Sequence, residues 1–304
     1  MAHVLVTGAG GFVGRAVVRH LRATGTCVRA GTRGGAPVDD APGVRLDVTD
    51  RASCDRAMDG IDSVVHCAVG AAAVTIGGTR TVLAAAGPRR VVHFSSIAVY
   101  GATPGAVTED AALAPDLRGY GAWKQAAEAA CGANVARLRP TIVYGPGATV
   151  FVETLLARIR AGRWGQFGID ADGLCNPVHV DDVARAACLA LTADAGGQAF
   201  NIDAGTPMTW NVWFARIAAL DGRTLPEYGP GRLRAWSRNA LPVKALARLA
   251  PPLRPALARA LLAPAGSECA LYRLQATYPA TRARSVLGWQ PLVSLDAGMA
   301  GCIG

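Results

Sequence analysis

The chain is 304 residues long, 51% hydrophobic and 17% charged, with a formal charge of +9 at pH 7. That length suffices for a nucleotide-binding α/β domain with a smaller companion, and no apolar run reaches the roughly 20 residues of a membrane-spanning helix. The arginines are dispersed without a zinc-finger or RNP-like motif, so the charge is not read as a nucleic-acid surface, and the eight scattered cysteines include no C-x-x-C pair and read as reduced packing thiols.

His3 to Thr7 reads as a first strand, and MAHVLVTGAG lacks the charged start and cleavage site of a signal peptide, so a cytoplasmic location is expected. Phe12 to Thr24 follows as a helix with Val13, Val17, Val18 and Leu21 on one face, then Cys27 to Gly31 as a second strand. Asp47-Val48-Thr49-Asp50 offers a helix cap, Ile61 to Cys67 a strand, Thr79 to Ala86 a helix closed by Gly87-Pro88, and Val91 to Ser95 another strand. Tyr120 to Cys131 is alanine-rich and helical, Val135 to Arg139 is a strand, and Tyr144 to Gly147 is a loop. Beyond it, Phe151 to Ala161 reads as a helix, Ala171 to Asn176 as a polar turn and Val178 to Val180 as a strand. Asp181 or Asp182 is expected to cap the helix that begins at Val183.

From Asp203 the pattern is mostly helical. Arg232 to Pro264 interleaves basic and apolar residues, as a membrane-surface helix does. Its prolines at 251, 252, 255 and 264 favour short helices that cover a substrate instead. Alternating strands and helices predict an α/β fold: a doubly wound parallel Rossmann sheet over 1–148 and 175–202, with a smaller, mostly helical substrate domain over 149–174 and 203–304.

Thr7-Gly8-Ala9-Gly10-Gly11-Phe12-Val13-Gly14 lies between a strand and a helix, the context in which glycines bring backbone amides and a helix N-terminus against a pyrophosphate. With G-x-x-G-x-x-G at 8, 11 and 14, the chain resembles the extended short-chain dehydrogenase/reductases. After the second strand, an NAD-binding protein usually presents a carboxylate to the adenosine ribose. This chain has Thr32 and Arg33 there, suited to a 2'-phosphate, so NADP(H) is favoured with NAD(H) as the alternative. Arg15 is read as a solvated helix residue. The resemblance further assigns Asp47-Val48 to the adenine and His66-Cys67-Ala68-Val69 to the cofactor side of a strand end.

Only two lysines, Lys124 and Lys244, stand among 31 basic residues. Tyr120 and Lys124 are four apart on a helix and so share a face. They follow Phe94-Ser95-Ser96-Ile97-Ala98-Val99-Tyr100-Gly101 as the family's tyrosine motif follows its serine motif. The resemblance therefore makes Ser96, Tyr120 and Lys124 catalytic. Tyr120 is the proton donor or base, Ser96 orients the substrate oxygen, and Lys124 holds the nicotinamide ribose while its ammonium favours the phenolate.

The order Arg139-Pro140-Thr141-Ile142-Val143, Asn176 to Val183 and Leu287-Gly288-Trp289 extends the likeness over nearly the whole chain. It sets Pro140 and Val143 beside the nicotinamide, while His179 and Asp182 read as structural and Trp123 and Trp210 as packing. Departures matter as well. Ile97-Ala98 replaces the acidic residues of dehydratases and decarboxylases, Cys175 replaces an arginine that grips a diphosphate, and Thr75 replaces an asparagine.

These features imply an NADP(H)-dependent ketone reductase or alcohol dehydrogenase acting on a small or medium-sized metabolite. The alternatives are a nucleotide-sugar epimerase with tightly bound NAD and a non-catalytic NADP(H) sensor. The expected partners are a small-molecule substrate and, by resemblance, a second subunit in a homodimer; neither nucleic acid nor a membrane is expected.

Overall fold

The computed structural model describes residues 2–250, 252 and 254–302. Runs such as Val4-Leu5-Val6 and Val64-Val65 are buried on both faces, as parallel strands sandwiched between helices must be. The first half runs β1 (His3–Thr7), α1 (Phe12–Ala23), β2 (Cys27–Thr32), β3 (Gly43–Arg45), α2 (Arg51–Ala57), β4 (Ser63–His66), α3 (Thr79–Ala86) and β5 (Arg90–Phe94). It continues through β6 (Gly105–Ala106), α4 (Tyr120–Glu128), β7 (Val135–Pro140), β8 (Ile142–Tyr144), α5 (Thr154–Arg160), β9 (Leu174–Cys175) and β10 (Pro177–His179). Then come α6 (Val180–Thr192), β11 (Ala199–Ile202), β12 (Met208–Thr209) and α7 (Trp210–Leu220). The last third holds α8 (Arg232–Asn239), α9 (Leu241–Leu249), α10 (Arg254–Leu261), α11 (Gly266–Leu271), β13 (Ala276–Thr277), α12 (Thr281–Leu287) and α13 (Leu295–Ala300).

The main sheet has seven parallel strands in the order β11-β7-β5-β4-β1-β2-β3. This is the expected Rossmann-like sheet. The chain walks outward from β1 to β3 and returns to β4 on the other side, so a crevice opens above the ends of β1 and β4. Open α/β sheets bind their ligands at such a reversal.

Local chemistry explains several boundaries. The Asp50 carboxylate caps α2 by accepting from the amides of Ala52 and Ser53, as its position suggested. The helix after β10 differs from expectation: it begins at Val180, and His179 is its cap, Nδ1 accepting from the Asp181 amide. Asp182 is instead turned inward, where its carboxylate accepts from the amides of Leu292 and Val293 at 2.7 and 3.1 Å. Buried Trp289 donates to the Asp182 carbonyl, so Leu287-Gly288-Trp289 fastens the C-terminal segment to α6. The stretch read as one helix from Phe151 opens with a π-helical turn, Thr149–Glu153, before α5.

A second core lies beside the sheet, around Trp164, Phe167, Trp210, Trp213, Phe214 and Tyr272. Trp210 is fully buried there, a packing residue as its apolar surroundings require. The β13 strand pairs with β6, returning the chain to the sheet side.

Candidate active site

The crevice at the β1/β4 reversal is shaped first by glycine. Gly8 has φ of +65°, and a Cβ there would lie 2.8 Å from the Ala68 backbone, so the β1 and β4 ends touch only because the side chain is absent. A Cβ on Gly14 would lie 2.2 Å from the Gly8 carbonyl oxygen, which makes Gly14 the position that lets α1 close onto β1. Gly10 and Gly11 complete the turn, with the Gly11 amide donating to the Gly8 carbonyl. Phe12 and Val13 then open α1, whose N-terminus has no acidic residue to repel an anion. A cleft of about 290 Å³ runs beside it, lined by Gly10, Phe12, Arg15, Pro146 and Gly147 among others. Arg15 is exposed, and its side chain also donates to the Gly10 carbonyl at 3.0 Å. This cradle fits a dinucleotide pyrophosphate.

At the end of β2, Thr32 stands beside Gly10 and Arg33 is exposed. The Asp47 carboxylate accepts from the Thr49 amide and hydroxyl at 2.9 and 2.7 Å, which lowers its pKa, and Arg33 adds a smaller attraction. Val48 is buried against Gly78 in the core, leaving only its backbone for a ligand. Cys67 and Ala68 are half-buried and Val69 is 54% exposed. Burial pushes the Cys67 thiol up, so it stays protonated. Pro140 is buried where β7 ends, and Val143 is half-buried in β8.

The β5 end and the α4 start bring Ser96, Tyr120 and Lys124 together. Ser96 accepts from the Ala98 amide at 3.1 Å, capping a short 3-10 turn, and its hydroxyl is near enough to the Tyr120 phenol to favour the phenolate. Ser95 is buried, with a hydroxyl that has no hydrogen-bond partner among the described residues. Gly121 explains the close approach, because a Cβ there would lie 2.8 Å from the Ala98 carbonyl oxygen. Gly119, with φ of +62°, supplies the turn into α4. Trp123, one turn along, is half-buried.

Lys124 is 3% exposed and donates to the Phe94 carbonyl at 2.6 Å, its Nζ lying 5.8 Å from the centre of the Tyr120 ring. Burial lowers its pKa to about 8. Burial raises the phenol of Tyr120 and Ser96 opposes that rise, while the Lys124 ammonium donates to the Phe94 carbonyl beside the ring.

Sequence reasoning overlooked a histidine pair behind the site. His66 and His93 are register partners on β4 and β5, stacked with ring centres 5.4 Å apart. Thr79 donates to the Thr75 carbonyl at 2.6 Å, so it accepts from His66 Nε2, leaving Nδ1 to accept from Thr7. Burial first, then the Lys124 charge, lowers His66 to about 3, so the ring is neutral. Thr75, in the position of the usual asparagine, also binds both backbone groups of Gly70.

With this geometry in place, the sequence profile of the NAD dependent epimerase/dehydratase family matches residues 4–203. The chain belongs to that family. It is accordingly an enzyme of the short-chain dehydrogenase/reductase type, an NAD(P)-dependent oxidoreductase or epimerase.

A 2-alkyl-3-oxoalkanoate reductase of Stenotrophomonas maltophilia is 30% identical, the match covering 97% of each chain. A UDP-glucose 4-epimerase of Mycolicibacterium smegmatis is 29% identical over 71% of this chain and 61% of its own. Among solved structures, MoeE5 in complex with UDP-glucose and NAD superposes with a TM-score of 0.73 and 26% identity, covering 99% of this chain and 97% of that one.

Within the epimerase/dehydratase family, the departures in this chain take physical form. Cys175 is fully buried on β9 in the second core, so no charge stands where a diphosphate-gripping arginine was looked for. Ile97 is buried and Ala98 has no proton to move. Three guanidiniums do gather elsewhere: Arg234, Arg238 and Arg273 line a cleft of about 620 Å³ with Ser237 and Cys269. None of the site residues read from the sequence lines it.

Proposed function

We propose that the protein is an NADP(H)-dependent ketone reductase or alcohol dehydrogenase acting on a medium-sized oxo acid or alcohol. The observation that carries this reading is the meeting of Ser96, Tyr120 and Lys124 beside the glycine cradle, with no carboxylate or second base next to Ser96. The nicotinamide dinucleotide would supply or accept the hydride. Tyr120 gives its phenolic proton to the developing alkoxide, or takes it back in the reverse direction. Ser96 receives an amide hydrogen bond from Ala98, which leaves its own proton to stabilise the charge on the substrate oxygen. Lys124 holds the ribose hydroxyls once it turns from the Phe94 carbonyl. Support for an oxo acid comes from the 2-alkyl-3-oxoalkanoate reductase, whose match runs the length of both chains. Support for NADP(H) comes from Thr32 and Arg33 at the β2 end and from an Asp47 carboxylate already occupied by Thr49.

The second reading, a nucleotide-sugar epimerase retaining NAD, draws on the arginine-lined cleft and on the likeness to MoeE5. One experiment separates the two. The protein is purified without added nucleotide and denatured, any released dinucleotide is identified, and the emptied protein is titrated with NADPH and NADH. The expected result is little retained cofactor, tighter NADPH binding, and NADPH oxidation when a 3-oxo acid is added. Near-stoichiometric retained NAD, with UDP-glucose turned over, overturns the reductase reading.

A further inference from the structure

Between Glu227 and Glu268 the chain has seven basic residues and not one acidic residue, so seven of its nine net positive charges sit in 40 consecutive positions. These positions build α8, α9 and α10 on the outer side of the second core. Arg232, Arg234, Arg238 and Arg254 are all exposed there.

Helix α9 is amphipathic in the reverse sense to a soluble surface helix. Lys244 is turned partly inward and donates to the carbonyls of Ala263 and Pro264 at 2.6 and 3.0 Å, and Ala247 is buried. The leucines face solvent instead: Leu241 is 59% exposed, Leu246 44% and Leu249 85%. Leu241, Ala245 and Leu249 are four apart, with Pro242 and Leu246 alongside, so the exposed apolar atoms form one stripe two turns long.

We infer that this face seats the protein on an anionic lipid bilayer, the α9 leucines entering the acyl boundary and the surrounding arginines lying at the headgroups. A second copy of the chain is a poor occupant, because pairing would bring the exposed Arg232, Arg234, Arg238 and Arg254 of one face against those of the other. Nucleic acid would satisfy the guanidiniums and leave the leucines in water. A protein partner would need an apolar groove cut to this one helix and rimmed with carboxylates for the arginines. An anionic interface accommodates both features of the face at once. It is peripheral seating: no helix among the described residues is long and apolar enough to cross a membrane.

The full-length protein is floated with extruded phosphatidylcholine vesicles, with and without about one-third phosphatidylglycerol, at low and high salt. Binding is expected to the anionic vesicles only and to weaken several-fold as salt screens the arginines. The triple variant Leu241→Ser, Leu246→Ser, Leu249→Ser should lose at least about tenfold in partitioning, since exposed side chains are all that change. Its melting temperature and turnover should match the wild type. Arg232→Gln and Arg254→Gln should each cost about fivefold. The inference is overturned if the wild type ignores anionic vesicles, or if the leucine variant binds them equally well. It is also overturned if the wild type ignores vesicles but forms a dimer, or binds a polyaspartate resin, through the same leucines.

Discussion

Arg139 on β7 grips Glu128 on α4 through two nitrogens, at 2.9 and 2.6 Å, with the two side chains only 4% and 3% exposed. Glu128 lies one turn beyond Lys124, so the pair fixes the register of the helix that carries Tyr120 and Lys124. The remaining Arg139 nitrogen donates to the Tyr100 hydroxyl at 2.8 Å, and Tyr100 donates to Asn201 on β11 at the same distance. Removing one partner leaves a buried charge uncompensated. Glu128→Gln is therefore expected to destabilise the fold by about 3–5 kcal/mol, read by urea unfolding. A loss below about 1 kcal/mol would show that Arg139 finds a partner elsewhere.

On the proposed reading, in which Lys124 holds the nicotinamide ribose, it sets a pH limit on cofactor binding. Burial holds its pKa near 8, so the ammonium is present at pH 7 and is lost as pH rises through 8. Affinity for the dinucleotide should therefore fall between pH 7 and 9 in the wild type. Fluorescence titration across that range measures it. In Lys124→Met the affinity should start lower and stay flat, whereas a parallel slope in the variant would assign the titration to another group.

Gly121 sets how closely α4 approaches the turn that Ser96 caps. Alanine there would set a Cβ 2.8 Å from the Ala98 carbonyl oxygen and push α4 away from the turn that Ser96 caps. Gly121→Ala is expected to lower kcat by about tenfold or more, as lost general-acid alignment does, while the glycine cradle still binds dinucleotide. Steady-state kinetics beside a binding titration separate the two effects. If kcat holds, the backbone absorbs the methyl without disturbing Tyr120.

The parallel sheet was legible because its strands are buried on both faces and read as unbroken apolar runs, as in Val4-Leu5-Val6. β3 escaped because it has three residues, one apolar, and β11 because Asn201 interrupts a run of only four. Tyr120 and Lys124 could be named because four residues on one helix share a face, and Ser96 because its motif precedes theirs in the order that the resemblance supplies. The particular partners of Asp182, which was read as structural, and the His66–His93 stack and the Arg139 network could not, since each joins residues from elements far apart in the chain. The inverted exposure of α9 was hidden for a related reason: the periodicity of leucines shows that a helix has an apolar face, not which way that face points.

Asp203 supplies a pH dependence of stability with the opposite sign to that of a salt-bridged carboxylate. It follows β11, is 3% exposed, and accepts from the Gly205 amide at 3.2 Å. Burial raises its pKa to about 6, with amide hydrogen bonds and the Arg284 charge acting against the rise. In the unfolded chain the same group titrates near 3.9. The folded state therefore holds the proton more tightly, and the stabilisation from that proton is complete below about pH 4 and is lost as pH rises through 6. The whole effect is about 3 kcal/mol at most. Asp203→Asn removes the titration while keeping an oxygen to accept from Gly205. Measured by urea unfolding, the variant should gain on the wild type between pH 4.5 and 7.5. An equal difference at the two pH values would mean that Asp203 is ionised throughout, and that Arg284 and the amides outweigh its burial.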